Sequence, residues 1–277
     1  MAIALKNIIK TVSSMDEAVK QWTMLGFSVE NISSLTSDNN YHQISLKNVT
    51  IQLFSEKKNS AQPIPFHEKS ALRSYLQNAS KSSLHRTELS FSSQDIQRDY
   101  AALNTAGFGD YVDRRLLQPD NSNQAACLFS RDPLTSEISF SSHSFSNTKT
   151  QLDSALATHS NGAEDISSIV LVADNPADHH EYLKALTGSK SARLSSLGLE
   201  LETGNVSIQV LSPSAYKALY DLAAPNNTQG LQLAAIHCRF KELSRFEKFA
   251  KNADPREHNG YLVISPDNIL DLAIIAS

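Results

Sequence analysis

The groups with the most chemical potential in this sequence sit in two apolar runs near its C-terminal end. In LQLAAIHCRF, His237 and Arg239 flank Cys238, and alternate side chains of an extended chain share one face. Asp271 adds a carboxylate within NILDLAII. An imidazole titrating near neutrality and a carboxylate that fixes its tautomer would make a general acid–base pair. His237 and Arg239 would equally hold a small polar or anionic molecule without turning it over. A single histidine on a strand is more often just hydrogen-bonded, so these readings stand side by side. Cys238 points the other way and is expected to pack rather than react.

Other candidates are weaker. Arg86 and Glu88 share a face of LHRTELSF, where they form an ion pair or touch a ligand. His179, His180 and Glu181 fall on a helix, but adjacent rings cannot chelate together as an i, i+4 pair does. They are expected on a solvated face. Cys127 and Cys238 are the only cysteines and show no CxxC spacing, which argues against a disulfide framework or a thiolate zinc site. No nucleophile-elbow, P-loop or dinucleotide-binding motif occurs. With a net charge of −4 and interspersed signs, nucleic acid and anionic membrane are not expected partners. No apolar run approaches the roughly 20 residues of a membrane helix, and no signal-peptide pattern opens the chain. A cytoplasmic protein is expected. The N-x-S/T triplets at Asn31, Asn48, Asn78, Asn205 and Asn226 read as products of an Asn/Ser-rich composition.

The elements that must position these groups announce themselves by repetition. NVTIQLFS, from Asn48 to Ser55, returns as NVSIQVLS, from Asn205 to Ser212. Each copy follows the same order of strand, helix, glycine and later strands. LKNIIKTV leads into SSMDEAVKQWTMLGF, with Met15, Ala18, Val19, Trp22 and Leu25 at helical spacing, a cap at Ser13 or Ser14, and a stop at Gly26. ISSIVLVA leads into DNPADHHEYLKALTG, with a cap at Asp174 or Asn175, Pro176 in the first turn and Gly188 at the end. Fainter copies begin at LHRTELSF and LQLAAIHCRF. The layout is β-α-β-β-β, four times, an α+β chain. The expected boundaries are an N-terminal module pair over 1–145, a linker over 146–164 and a C-terminal pair over 165–277. Residues 57–83 fall outside the repeat and carry a short helix in HEKSALRSYLQNA.

Four units of this kind resemble the vicinal oxygen chelate superfamily, which includes glyoxalase I, extradiol dioxygenases and bleomycin-resistance proteins. The likeness rests on KNIIKTVSSMDEAVKQWTMLGF and ISSIVLVADNPADHHEYLKALTG, and on SRDPLTSEISF and SPDNILDLAI, which are similar to the family's closing hairpin. It implies two paired glyoxalase-like domains whose curved mixed sheets enclose clefts, each able to hold a divalent metal on side chains from first and last strands. Alternation puts Val49, Ile51 and Leu53 toward the helices and Thr50, Gln52 and Phe54 toward the cleft. Gln52 and Gln209 then fall at the last-strand ligand position, with Ser139 and Asp271 matching them in the other two units. At the first-strand positions stand Asn7, Arg86 or Glu88, Ser167 and Ala235, where His or Gln would be expected. His42 either faces the first cleft or is structural.

The resemblance implies a protein that binds or transforms a small oxygenated metabolite. The C-terminal cleft is favoured, with His237, Asp271 and Gln209 as metal ligands, or His237 and Asp271 as catalytic pair. Arg239, Gln52, Arg86, Glu88 and Asn7 are the candidate substrate contacts. As an enzyme it would be a lyase, an isomerase or a ring-cleaving dioxygenase acting near a carbonyl or diol. A non-catalytic sequestering protein and a degenerate scaffold that associates through its sheets, for example as a homodimer, are the alternatives.

Overall fold

The structure, a computed structural model, describes residues 3–33, 40–55, 87–115, 127–135, 138–144, 158–225, 230–266 and 272–277. The first module runs β1 (Ala4–Val12), α1 (Met15–Met24), β2 (Glu30–Ser33), β3 (Asn40–Ser45) and β4 (Thr50–Ser55). The second runs β5 (Thr87–Ser93), α2 (Ile96–Thr105), β6 (Val112–Arg115), β7 (Cys127–Ser130) and β8 (Ile138–Ser144). The third runs β9 (Ala163–Val172), α3 (His180–Thr187), β10 (Ala192–Leu194), β11 (Gly198–Glu202) and β12 (Ser207–Leu211). The fourth runs β13 (Gln232–Phe240), α5 (Leu243–Ala250), β14 (Arg256–His258), β15 (Tyr261–Ile264) and β16 (Ala273–Ala276). Between the last two lies a helix outside the repeat, α4 (Pro213–Tyr220).

Local chemistry accounts for the helix ends. Ser14 caps α1 by accepting from the Glu17 N–H, and Asp95 caps α2 by accepting from the Arg98 N–H. Gly26 ends the first module's helix with φ of 79°. A Cβ there would collide with Phe249 and Asn161, so only glycine fits that turn.

Among the described residues these strands form two sheets of eight, ordered β2-β3-β4-β1-β5-β8-β7-β6 and β10-β11-β12-β9-β13-β16-β15-β14. In each module the first and last strands pair in parallel, and the modules join through their first strands, β1 antiparallel to β5 and β9 antiparallel to β13. The helix-bearing faces of both sheets share one hydrophobic core, which includes Trp22, Leu103, Tyr182 and Phe246 from the helices. Ile8, Ile51, Leu89 and Phe140 reach it from one sheet, and Ile169, Ile208, Ile236 and Ile274 from the other. The opposite face of each sheet is its cleft face.

The repeated asparagines explain themselves at the seam between the halves. Strand β1 pairs Leu5 with Phe91 and Asn7 with Ser90, so Lys6 is bulged out. Strand β9 pairs Ile166 with Cys238 and Ser168 with His237, so Ser167 is bulged out in the same place. Asn48 crosses to the other half, where its Oδ1 accepts from the Ile166 N–H at 3.0 Å and its Nδ2 donates to the Ile166 carbonyl at 2.7 Å. Asn205 returns the contact to Leu5 at 2.9 and 2.7 Å. Each copy of the repeat mends the other copy's bulge. The seam also holds a buried Asp132–His179 contact, Oδ2 to Nδ1, at 2.8 Å. His179, expected in solvent, is 1 % exposed. Its helix meets the other half of the molecule, which the adjacency of two histidines could not reveal. Within the stretch expected as linker, Asn161 is fully buried and donates to the Leu25 carbonyl at 2.8 Å.

Candidate functional site

On each cleft face the strand register lines up four side chains, one per central strand. The first row of the N-terminal sheet is Gln52, Ile9, Glu88 and Ser139, and the next is Thr50, Asn7, Ser90 and Ser141. The matching rows of the C-terminal sheet are Gln209, Val170, Ala235 and Ala273, then Ser207, Ser168, His237 and Ile275. The twin glutamines therefore occupy equivalent cleft-face positions, with Ile51, Leu53, Ile208 and Val210 in the core behind them. Of the two residues that the sequence left open, Arg86 and Glu88, the register makes Glu88 the equivalent of Ala235. Ser168, not Ser167, stands opposite Asn7's position, because the bulge shifts the count by one.

The C-terminal cleft face is filled. Ser212 caps α4 by accepting from the Ala215 N–H at 3.2 Å, Pro213 opens the helix, and Ala215, Tyr216 and Tyr220 are buried. They pack with Leu222 on Val170, Val172, Leu211, Ala235, Val263, Ala273 and Ile275 in a second apolar core. His237 is 7 % exposed. Its Nε2 lies 2.8 Å from the Tyr220 hydroxyl, and the Tyr220 and Tyr261 rings meet it edge-on. Burial pulls the His237 pKa down to about 4, so the ring is neutral at physiological pH. Arg239 is committed elsewhere, its Nε and Nη2 each donating at 2.6 Å to the two oxygens of Asp165. That carboxylate holds the guanidinium in its charged form. Cys238 faces the core, fully buried, and burial raises its thiol pKa.

A divalent metal needs several oxygen or imidazole donors converging on one point. The described C-terminal residues do not fit one. Gln209 and His237 lie in different rows, the register sets Ile275 beside His237, and the imidazole Nε2 is taken by Tyr220. Among the described residues no three His, Cys, Asp or Glu side chains group as a metal site. Asp271, Arg86 and the helix expected in HEKSALRSYLQNA lie outside the described residues, and the register gives the last-strand position expected of Asp271, the equivalent of Ser139, to Ala273.

The N-terminal cleft face is polar where its counterpart is oily. Glu88 is partly buried, and the Ser141 hydroxyl, 0 % exposed, stands 2.5 Å from its Oε1. Ser141 Oγ is also 3.1 Å from Nε2 of His143, and Cys127 Sγ is 3.6 Å from the same nitrogen. Burial raises the Glu88 pKa, against the pull of the Ser141 hydrogen bond, and lowers that of His143. Both groups are thereby biased to their neutral forms. Asn7, Gln52, Ser92 and His143 all keep partial exposure on this face. At its far side Gln43 donates to Glu30 at 3.0 Å, and Tyr41 stacks on Phe54 with centroids 5.0 Å apart. His42 is on the opposite face, paired with Leu53 and set against α1 beside Asp16 and Lys20.

Sequence reasoning stopped at Ser139 and so missed Ser141 and His143. The alternation in ISFSSHS carries them on the same face. It also missed α4, although Ser212, Pro213 and the Tyr216–Tyr220 spacing are a helix signal.

No family model and no curated protein matches the sequence. Solved structures do match. A hypothetical protein of Staphylococcus aureus superposes with a TM-score of 0.60 at 10% identity, covering 99% of each chain. Homoprotocatechuate 2,3-dioxygenase of Arthrobacter globiformis gives 0.57 at 11% identity, over all of this chain and 80% of that one. A halotolerant catechol dioxygenase gives 0.56 at 8% identity, over 100% and 86%. The likeness is one of fold. These dioxygenases have the vicinal oxygen chelate fold, and chemistry does not travel with architecture.

Proposed function

We propose that this chain binds, and for a fitting substrate transforms, a small oxygenated molecule on the cleft face of its N-terminal sheet. The C-terminal half serves as its structural counterpart. The observation that carries this reading is the contrast between equivalent positions. Glu88, Ser139 and Ser141 stand where the other half has Ala235, Ala273 and Ile275. Concave surfaces with a few placed polar groups are where small ligands bind, and the structural neighbour named as a catechol dioxygenase suits a small oxygenated ligand. The eight residues of the two N-terminal rows include hydroxyls, amides and one carboxyl but no cation, which favours an uncharged ligand with hydroxyl or carbonyl groups. The partner is a small molecule rather than nucleic acid or membrane. Among the described residues no helix is long and apolar enough to cross a membrane.

A thermal-shift and calorimetric screen of uncharged diols, hydroxyketones and phenols on the full chain tests this. Glu88→Gln and Asn7→Ala are expected to lose binding of any hit, and His237→Gln to keep it. The reverse pattern would return the site to the C-terminal face.

A further inference from the structure

The N-terminal cleft face holds a chain of three groups that a binding surface alone does not need. Glu88 and His143 sit on neighbouring parallel strands, and Ser141 bridges them at 2.5 and 3.1 Å. We propose that Glu88, Ser141 and His143 form a proton relay serving acid–base chemistry on a small uncharged carbonyl- or hydroxyl-bearing ligand. This rests on the placement of the ligand on that face.

The hydrogen-bond directions allow one proton to pass along the whole chain. With Glu88 ionised, the Ser141 O–H donates to its Oε1; once Glu88 is protonated, its own O–H donates to Ser141 Oγ and the Ser141 O–H turns to donate to Nε2 of His143. Transfer breaks the Glu88 and Ser141 O–H bonds and forms a new Ser141 O–H and an Nε2–H. Glu88 is left a carboxylate, His143 an imidazolium and Ser141 unchanged. The carboxylate then takes a proton from carbon beside the ligand's carbonyl. That C–H bond breaks, an O–H forms on Glu88, and the electron pair moves onto the carbonyl oxygen. The proton on Glu88 then returns to the former carbonyl carbon while the neighbouring hydroxyl proton passes to the oxyanion, and the Nε2 proton of His143 goes back through Ser141 to Glu88, completing an isomerisation with no oxidant or reductant.

The surroundings suit the task. Ser141 is sealed from solvent while Glu88 and His143 keep partial exposure, so the bridge is dry and its ends are reachable. A low-dielectric setting strengthens each link. Among the described residues, Glu88 on β5 and Cys127 on β7 are the titratable groups facing His143 from the strands beside it. Glu30 lies at the far edge of the same face. Cys127 contacts the same Nε2 at the length of a weak sulfur hydrogen bond.

The test uses the full chain with ¹⁵N-labelled histidine. Long-range ¹H–¹⁵N correlation reads each ring's tautomer and titration midpoint. Glu88→Gln is expected to change the His143 tautomer ratio at least twofold, and the change is expected to vanish in a Ser141→Ala background. An unaltered His143 in Glu88→Gln, or the same change without Ser141, would overturn the relay. His159 and His237 report in the same spectra that the fold is intact, and Ser141→Cys provides a second break of the bridge. Catechol, used as a probe ligand, separates the two readings. Coupling without catechol or related binding sinks the ligand placement, whereas binding without coupling sinks the relay.

Discussion

The two cleft faces are built on one plan and put to opposite uses. Both keep a glutamine on the last strand of their leading module, Gln52 and Gln209, and both carry the same bulge on the first strand. Beyond that they diverge. The N-terminal rows collect Glu88, Ser90, Ser139 and Ser141, while their counterparts are Ala235, His237, Ala273 and Ile275. The C-terminal face then accepts α4, whose Tyr216 and Tyr220 turn it into a second core. A duplicated sheet has two faces to cover, and burying one behind an amphipathic helix removes apolar surface from water. Removing that requirement from one half leaves the other free to stay polar and partly open. On the filled face His237 is accordingly a packed residue whose hydrogen bond goes to a tyrosine of the plug.

The largest effect should come from breaking the plug. Tyr216 is 1 % exposed, and truncating a buried aromatic removes its contacts and leaves a cavity. Tyr216→Ala is expected to lower stability by about 3–5 kcal/mol, read as a fall in the urea midpoint. Glu88→Gln on the other face should change it by well under half as much. Equal losses would mean that both faces are core and would end the contrast.

Acid should attack the same face next. The His237 pKa is held at about 4, against an ordinary 6.5, so the folded state prefers the neutral ring. Below pH 6.5 the unfolded chain takes up a proton that the folded chain refuses. The contribution is complete above pH 6.5, declines as pH falls, and is gone near pH 4. Its size is about 3 kcal/mol. Burial shifts His143 and His159 in the same direction. Denaturation midpoints between pH 7 and 4 should therefore fall steeply in the wild type and less steeply in His237→Gln. An unchanged slope would show that the imidazole is not what titrates.

The seam offers a finer comparison because its two sides are near copies. Asn48→Ala and Asn205→Ala each strip two hydrogen bonds from a bulged strand of the opposite half. Each should cost about 1–3 kcal/mol. Their amides also reach each other's backbone carbonyls, at 3.4 and 3.2 Å, so the double variant should lose less than the sum of the two.

These asparagines show how far the sequence could be read. The repeat announced four modules, and alternation within NVTIQLFS and NVSIQVLS correctly put both glutamines on the cleft face, because period-two patterning is a local property. The helix caps and Gly26 were legible for the same reason. What Asn48 and Asn205 do was not, since their partners lie more than a hundred residues away. Ser167 was placed one position off because a bulge leaves no mark on a pattern of small polar residues. The burial of His179 and the seating of α4 against sheet two depend on which elements meet in space. The bridge from Glu88 to His143 is hidden likewise, because it joins strands separated by an entire helix and hairpin.

The smallest expected effects sharpen the contrast most, because they fall on the glutamine that both faces keep at the equivalent position. Gln209 Oε1 lies 3.5 Å from the Tyr220 hydroxyl, under the plug. Gln52 is partly exposed beside Ile9, in the row of Glu88. Gln209, also partly exposed but in contact with the plug, should therefore register in Gln209→Ala as stability, a loss of at most about 1 kcal/mol for a long, part-buried contact, with ligand binding unchanged. Gln52→Ala should leave stability within about 0.5 kcal/mol, as surface replacements do, and weaken ligand binding several-fold in calorimetry. The sign of that crossing is what matters. If Gln52→Ala destabilises the fold and Gln209→Ala loosens the ligand, the roles of the two faces are reversed, and the polar row around Glu88 is structural packing rather than a site.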